Sequence, residues 1–241
     1  MKLRILKKRI VESFFAFIVL FGFLPAVAMA VETYKFERMT PVLQQPWYFM
    51  APSGLATDSK GFIYVSDLDG QCVKKFTPDG FLVTKWGSYG QNPGEFFQAI
   101  KIAIDKDDYV YVADSLNHRI QKFTSDGKFI SVWGGTGESS ADGAFGAPTG
   151  LVVDNKNSVI YVADKHNYRV QKLTLNGEFI SKWGTQGTGD GQFTNPYAIA
   201  IDSAGNVYVA DSDKNGVVNY CIQKFSPDGN FLLRWGTQGS G

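Results

Sequence analysis

The order of apolar and polar positions is the same in four successive segments of the chain. In the second segment an apolar run, Ile100–Ile104, is followed by the alternating runs Tyr109–Ala113 and Arg119–Phe123 and by a final run, Phe129–Trp133. Runs of this length that are rich in β-branched and aromatic residues and bounded by turn residues are typical of β-strands. Each segment is therefore predicted to form four strands.

A two-residue turn separates the third and fourth predicted strands of every segment. An Asp-Gly or Asn-Gly pair between two such runs favours a tight hairpin, so the sheets are predicted to be antiparallel. The four pairs are Asp79-Gly80, Asp126-Gly127, Asn176-Gly177 and Asp228-Gly229.

The spacing of the repeated motif predicts how these sheets combine. The tyrosines of its second strand, Tyr64, Tyr111, Tyr161 and Tyr208, lie 47, 50 and 47 residues apart. Four strands repeated at this period are typical of propeller blades, in which each sheet buries its faces against its neighbours. We predict an all-β chain that forms a β-propeller of four-stranded antiparallel blades.

The repeated residues also resemble a known family. Beyond the first 48 residues the whole chain is similar to NHL repeats, and one stretch nearly spells the motif that names that family. The resemblance implies a β-propeller, usually six-bladed, that serves mostly as an interaction platform. The residues that carry it are Pro148–Leu151, Tyr161–Asp164, Asn167–Leu173, Trp183-Gly184 and Asn117–Ile120.

The first thirty residues have the pattern of a signal peptide. A basic start, Lys2–Arg9, precedes the apolar stretch Phe14–Leu24 and the small residues of Ala28-Met29-Ala30. This order predicts export with cleavage after Ala30, which leaves no stable membrane span. An uncleaved anchor is the alternative, but the apolar run is shorter than the roughly 20 residues that cross a bilayer.

The rest of the chain divides into repeats and linkers. Thr33–Met39 alternates like an outermost strand, and such propellers close when an N-terminal strand completes the last blade. The final residues repeat the sequence of the linker that begins at Gly184, so we predict that this sequence is a truncated part of a longer propeller. The predicted parts are a signal peptide (1–30), a closing strand and linker (31–50), four repeats (51–87, 97–134, 146–184 and 194–236) and the start of a linker (237–241).

Charge argues against a nucleic-acid partner. The chain has 24 basic and 23 acidic residues, and five of the basic and one of the acidic residues fall in the signal segment, leaving 19 and 22. A protein that binds phosphate backbones needs a basic footprint, so no nucleic-acid partner is expected. One lysine recurs on the same strand of every repeat, and we predict a solvated edge for Lys75, Lys122, Lys172 and Lys224.

Residues present in every repeat are predicted to serve the framework. The tryptophans Trp86, Trp133, Trp183 and Trp235 should lie between blades. Asp67, Asp114, Asp164 and Asp211 should accept N–H bonds from the following turn, with Arg119 and Arg169 pairing with two of them. Cys72 and Cys221 fall at equivalent positions of different blades, too far apart for a disulfide.

Residues that break the repeat are the candidates for function. Lys101 stands where the other repeats have Gly54, Gly150 and Ala198, on the innermost strand that lines the central channel. We expect a ligand-binding channel mouth in which Ile100 also takes part; the alternative is that these side chains simply fill the channel. The predicted ligand-binding residues are Lys101, Ser53, Thr149 and Tyr197.

The loop after Asp211 is the candidate metal site. Oxygen side chains at its positions 1, 3, 5 and 9, with glycine at position 6, resemble calcium loops of EF-hands and of some propellers. Position 12 is Ile222, so the bidentate glutamate is absent and weak binding, on the order of 10⁻⁴ to 10⁻³ M, is expected. An ordinary exposed turn is the alternative. The predicted Ca²⁺ ligands are Asp211, Asp213, Asn215, Val217 (by its carbonyl) and Asn219.

Three functional interpretations follow. The first is an exported, non-catalytic platform for an extracellular protein, glycan or small ligand; no residue is assigned a catalytic role, since no nucleophile triad, phosphate loop or histidine cluster is present. The alternative is a lyase, lactonase or hydrolase whose site at the channel mouth is completed by further blades. Substrate recognition for a ubiquitin ligase follows from the family resemblance alone, because the dense Cys and His spacing of zinc modules is absent.

Overall fold

A computed structural model of the protein describes residues 48–135, 137–212 and 220–237. The described chain is nearly all β-strand and turn, with two short 3₁₀ turns, Ser115–Asn117 and Lys165–Asn167. None of its described helical segments has the length and apolar character needed to cross a bilayer. The predicted signal segment and the predicted closing strand Thr33–Met39 lie outside the described residues.

Sixteen described strands form four sheets, and each sheet is an antiparallel meander in chain order. This confirms the predicted four-stranded blades. The strands are β1 (Pro52–Thr57), β2 (Ile63–Asp67), β3 (Cys72–Phe76) and β4 (Leu82–Trp86); β5 (Ala99–Ile104), β6 (Val110–Asp114), β7 (Arg119–Phe123) and β8 (Phe129–Gly134); β9 (Pro148–Asp154), β10 (Val159–Asp164), β11 (Arg169–Thr174) and β12 (Phe179–Trp183); β13 (Pro196–Ile201), β14 (Val207–Asp211), β15 (Cys221–Phe225) and β16 (Phe231–Trp235).

The first strands of the blades lie beside one another in the order β1, β5, β9, β13. Apolar clusters fill the space between consecutive sheets, so the second and third blades bury both alternating faces of their inner strands. Between the second and third blades the cluster includes Tyr111, Trp133, Leu151, Ile160 and Leu173. Full burial of a side chain of this size stabilises the fold by about 1.5–3 kcal/mol, so the contacts between blades hold the repeats together.

The repeated tryptophans cover the hairpin glycines of the next blade. A Cβ atom built on Gly127 would lie 2.5 Å from Trp86, and one on Gly229 would lie 2.6 Å from Trp183. Trp133 covers Gly177 in the same way. These glycines also have positive φ angles, so both the turn and the close approach require glycine at this position. The predicted placement of these three tryptophans between blades is confirmed.

The predicted solvated edge is wrong for three of the four repeated lysines; the fourth, Lys224, is partly exposed and lies 3.6 Å from Asp202 of its own blade. Lys75 is 6% exposed, and its Nζ donates to the carbonyl of Ser125 in the next blade at 3.1 Å. Lys122 and Lys172 reach the carbonyls of Leu175 and Pro227 at 3.2 and 3.1 Å. These lysines also lie over tyrosine rings of their own blade, so they join blades instead of facing solvent.

Candidate functional site: the linker face

The buried aspartate at the end of each second strand fixes the linker that enters its own blade. Asp114 Oδ1 accepts the N–H of Phe97 at 2.7 Å, and Asp164 Oδ1 accepts the N–H of Gly146 at 2.6 Å. We expected these carboxylates to accept from the turn that follows them. The main donors come instead from the segment before the first strand, because that segment lies against the same end of the sheet.

In the second blade, Arg119 joins this aspartate to the preceding linker. Its Nε lies 2.6 Å from Asp114 Oδ2. Its two terminal nitrogens donate to the carbonyls of Gln91, Asn92 and Glu95 at 2.6–2.9 Å. The guanidinium thus uses its fork of donors on a carboxylate and three carbonyls.

The third blade repeats this arrangement. Arg169 Nε lies 2.8 Å from Asp164 Oδ2, and the guanidinium donates to the carbonyls of Ser140, Ala141 and Ala144. The predicted Arg–Asp pairs of both blades are confirmed as framework contacts. They leave these charged groups fully engaged within the fold.

The first blade pairs its aspartate without arginine. Cys72 takes the arginine position, and Lys74 Nζ lies 2.6 Å from both Asp67 Oδ2 and the Tyr48 carbonyl. Burial opposes ionisation of Asp67, but the hydrogen bonds from Ala51 N–H and Lys74 outweigh it and lower the pKa of this carboxyl. Asp67 is therefore held ionised by its surroundings.

Antiparallel order gives each blade two different ends. The linkers between blades (87–98, 137–147 and 184–195) and the loops between second and third strands (68–71, 115–118 and 165–168) meet at one end, which we call the linker face. The other end, which we call the turn face, is formed by the turns 58–62, 105–109, 155–158 and 202–206 and by the hairpins 77–81, 124–128, 175–178 and 226–230. The two faces differ in what they expose.

Most of the large exposed side chains at the two ends belong to the linker face. Tyr89 is 69% exposed and packs edge-on against Phe97, with ring centroids 5.3 Å apart. On the turn face, the described residues of this kind are Phe81 and Tyr109. Exposed tyrosines are enriched where proteins bind partners, so this face is the candidate interaction surface. Its exposed large residues are Tyr48, Met50, Tyr89, Tyr197 and Tyr220.

A cleft of about 220 Å³ opens on the linker face of the second blade. Two successive linkers and the 3₁₀ turn of that blade surround it. Sequence reasoning missed this cleft, because its walls come from segments far apart in the chain. Tyr89 could have been found, since it occurs in one linker where the third linker has Gln186. The cleft is lined by Gln91, Leu116, Asn117, His118, Arg119, Gly135 and Gly137.

Every first strand has a bulge at the linker face. The pairing shifts by one residue at Ser53, Ile100, Thr149 and Tyr197, the residues predicted around the channel mouth. Bulges at the rim of a sheet re-aim side chains, and here two of them turn toward the next blade. Ser53 Oγ donates to the Ile100 carbonyl and Thr149 Oγ1 to the Pro196 carbonyl, each at 2.9 Å.

The other two predicted mouth residues remain open to solvent. Tyr197 is 48% exposed. Lys101 is partly exposed, and alternation along β5 places its side chain on the side of the third blade, since Ile102 packs toward the first. Among the described residues Lys101 Nζ has neither an ion pair nor a hydrogen bond. The structure therefore separates Lys101 and Tyr197 from Ser53 and Thr149.

The register explains why Lys101 is unlike its counterparts. Lys101 pairs with Ala113 in the same way as Gly54 with Ser66 and Gly150 with Ala163. A Cβ on Gly54 would lie 2.9 Å from the Ile100 carbonyl, so the usual spacing has no room for a lysine. The junction between the inner strands of the second and third blades therefore differs from the junction between those of the first and second.

The predicted calcium loop is described only at its first ligand. Asp211 lies 3% exposed at the end of β14, where its carboxylate accepts the N–H groups of Thr194 and Asn195. It accepts linker N–H groups as the aspartates of the other blades do. The other predicted ligands, Asp213, Asn215, Val217 and Asn219, lie outside the described residues.

The two histidines do not converge. His118 Nδ1 accepts the N–H of Ala147 at 3.1 Å, whereas His166 Nδ1 lies 3.0 Å from Glu138 Oε1. Within the described ranges no three His, Cys, Asp or Glu side chains group in a way that could hold a metal ion. The geometry of this part of the chain thus offers polar and aromatic contact surface.

Comparison with known families agrees with this geometry. Residues 151–237 match the family described as 6-bladed beta-propeller, and residues 98–123 match the NHL repeat. The chain contains an NHL repeat and has a β-propeller fold. No curated protein sequence matches this chain.

Solved structures share the fold of this chain. A virginiamycin B lyase from Staphylococcus aureus with quinupristin is 17% identical, with a TM-score of 0.56 over 75% of this chain and 54% of the lyase. A chain of a nidogen/laminin complex is also 17% identical, with a TM-score of 0.58 over 76% and 63%. The WD40 repeats of RRP9 are 13% identical, with a TM-score of 0.59 over 78% and 52%.

The chain spans about half the length of the solved structures it matches, between 49% and 63%. At these identities the likeness shows the fold alone. The neighbours include a lyase and proteins in complexes, so the fold is compatible with both binding and enzymatic roles.

Proposed function

We propose that the protein is an exported, non-catalytic platform that binds an extracellular protein, glycan or small ligand through its linker face. The observation that carries this proposal is the exposure of Tyr89 and Tyr197 on the linker face, where the buried aspartates are bound within the framework. Tyrosine provides large, rigid contact area at low entropic cost. The nidogen/laminin neighbour supports a binding role for a propeller of this shape.

Lys101 supports a ligand that carries an anionic group. Lys101 has no acidic partner among the described residues, and a partly exposed ammonium of this kind can bind a carboxylate, sulfate or phosphate group of a ligand. Lys101→Met should weaken binding, and Lys101→Arg should retain it. Because exposed charges are screened by salt, the difference between Lys101 and Lys101→Met should shrink as ionic strength rises.

Site-specific photocrosslinking tests the platform. A benzoylphenylalanine in place of Tyr89 or Tyr197 should capture a partner in the extracellular fraction of the source organism, since both side chains are exposed on the linker face. The same probe in place of Tyr109 on the turn face is the matched control and should give no adduct. Adducts at Tyr109 alone would place the binding surface on the turn face and contradict the proposal.

Export is proposed on the signal-peptide pattern of residues 1–30. The mature protein should begin at Val31, which N-terminal sequencing of the secreted or periplasmic protein reads directly. A protein that retains Met1 in the membrane fraction would support the uncleaved anchor.

A lyase or hydrolase is the second candidate, supported by the likeness to a virginiamycin B lyase solved with quinupristin. We expect no loss of quinupristin on incubation with this protein, measured by mass spectrometry, because the described residues bring together no acid–base pair at the channel mouth. Turnover that is lost in Lys101→Met would favour the enzyme instead.

A further inference from the structure

Two joints between blades are built in the same way. The residue before β3 and the residue before β7 both have left-handed backbone, with φ 48° at Gln71 and 54° at His118. Each accepts the N–H of a second left-handed residue just before the first strand of the next blade. Gln71 Oε1 accepts from Gln98 at 2.8 Å, and His118 Nδ1 accepts from Ala147 at 3.1 Å.

The two acceptors differ in one chemical property. The amide oxygen of Gln71 accepts a hydrogen bond at any pH, whereas a ring nitrogen of His118 accepts only while it carries no proton. Imidazole gains its second proton near pH 6.5 in unstructured peptides, within the range that biological compartments reach. The joint between the second and third blades therefore contains a titratable acceptor where the preceding joint has a permanent one.

Protonation of His118 would leave Ala147 without its acceptor. Ala147 is 3% exposed, so its N–H cannot turn to water, and an unmet buried donor costs about 1–3 kcal/mol. Its φ of 56° is a conformation that alanine adopts only when the surroundings impose it. The bond to His118 is one of those surroundings, and the strain favours a different backbone once the bond is lost.

The ion pairs near His118 involve other residues. Arg119 is its neighbour in the chain and is paired with Asp114 at 2.6 Å. Glu138 of the next linker lies against His166 at 3.0 Å. The titratable and charged groups on the segments packed around His118 are Arg119, Asp114, Glu95, Glu138, Asp142, Lys165 and His166.

We propose that His118 is a pH-sensitive latch between the second and third blades and that its release reshapes the cleft on the linker face. His118 lines that cleft together with Gln91 of the preceding linker and with Gly135 and Gly137 of the linker that runs on to Ala147. Breaking the bond to Ala147 frees one wall of the cleft. The latch concerns the fold itself; its effect on binding rests on the proposed function of the linker face.

Amide hydrogen exchange tests the latch without any partner. On lowering the pH from about 8 to about 5, the protection factor of the Ala147 amide should fall by about tenfold or more. The Gln98 amide, bonded to Gln71, is the internal control and should keep its protection factor. Equal changes at both amides, or none at Ala147, would overturn the proposal.

Variants separate the latch from general acid effects. His118→Gln copies the first joint, so the Ala147 amide should stay protected at both pH values. His166→Gln removes the other histidine and should leave the response of Ala147 as in the parent protein. A response that persists in His118→Gln or disappears in His166→Gln would contradict the assignment to His118.

Crosslinking then tests the effect on the cleft. A benzoylphenylalanine in place of Gln91 should give at least about threefold less adduct at pH 5 than at pH 8, and His118→Gln should remove this difference. Absence of adducts at both pH values would count against the proposed function alone, whereas unchanged protection of Ala147 would overturn the latch. The two failures are therefore distinguishable.

Discussion

The second and third blades hold their buried aspartate with arginine, whereas the first and fourth have cysteine at that position. Arg119 links Asp114 to three linker carbonyls. In the first blade Lys74 reaches Asp67 and one carbonyl from a neighbouring strand position. In both blades a cation joins the aspartate to the linker that enters the blade, but the cation is arginine in one and lysine in the other.

This difference separates framework from function. The aspartate and its linker N–H groups recur in all four blades, even where the arginine is lost, as the bonds from Thr194 and Asn195 to Asp211 show. Side chains that vary between blades at the same end, such as Tyr89 and Lys101, carry no such duty. The comparison of blades therefore indicates which residues are free to recognise a partner.

Removing the arginine of the third blade should have the largest effect on stability. Arg169→Met leaves Asp164 buried without its cation and removes the guanidinium donor of the Ser140 carbonyl, which should cost about 3–5 kcal/mol. Urea denaturation gives the change in the free energy of unfolding. Lys182→Met is the matched control, because its pair with Asp142 is exposed and worth about 1 kcal/mol at most. Equal losses in the two variants would contradict the framework role.

Placing an arginine in the first blade should have a smaller effect on stability, and the size of the effect should depend on whether Lys74 is present. Cys72→Arg places a second cation beside Lys74 and should destabilise the protein by about 1–3 kcal/mol. Adding Lys74→Gln recreates the Arg119 and Gln121 pair of the second blade and should recover at least about half of that loss. The double-mutant cycle measures this coupling, and additive losses would show that the blades are not interchangeable.

Local sequence patterns predicted the blades well because each strand and hairpin is specified within its own repeat. The Arg–Asp pairs were also predictable, since only five residues separate Arg119 from Asp114. The lysines were misassigned because their acceptors, such as Ser125 for Lys75, lie in the next blade.

The directions of the side chains at the channel mouth also could not be predicted from the sequence. The bulge positions follow from aligning the repeats, but the hydroxyl of Thr149 turns to Pro196 and is lost to a ligand. The cleft beside His118 depends on three segments brought together only by blade packing. The sequence pattern predicts contacts within a repeat but not contacts between repeats.

The cysteines that replace arginine should be slow to react. Burial raises the pKa of the Cys72 thiol and of the Cys221 thiol above their ordinary value, so little thiolate forms at neutral pH. Alkylation by iodoacetamide at about pH 8 should be at least about tenfold slower in the folded protein than in urea. Mass spectrometry of each cysteine peptide gives the rates. Fast labelling of the folded protein would show that these positions are open.

Calcium should have the smallest effect. The predicted loop after Asp211 should bind Ca²⁺ at about 10⁻⁴ to 10⁻³ M and raise the melting temperature only at millimolar calcium. Calorimetric titration with CaCl₂ measures the heat, and Asp213→Asn is the control variant that should reduce it. No heat and no shift in melting temperature would remove calcium from the account.

The most direct test of the central claim is the affinity of the crosslinked partner for two tyrosine variants. Tyr197→Ser, on the linker face, should weaken binding by about tenfold or more, as expected for an interfacial aromatic residue. Tyr109→Ser, on the turn face, should leave the dissociation constant unchanged. The opposite result, with binding lost in Tyr109→Ser and kept in Tyr197→Ser, would contradict recognition by the linker face.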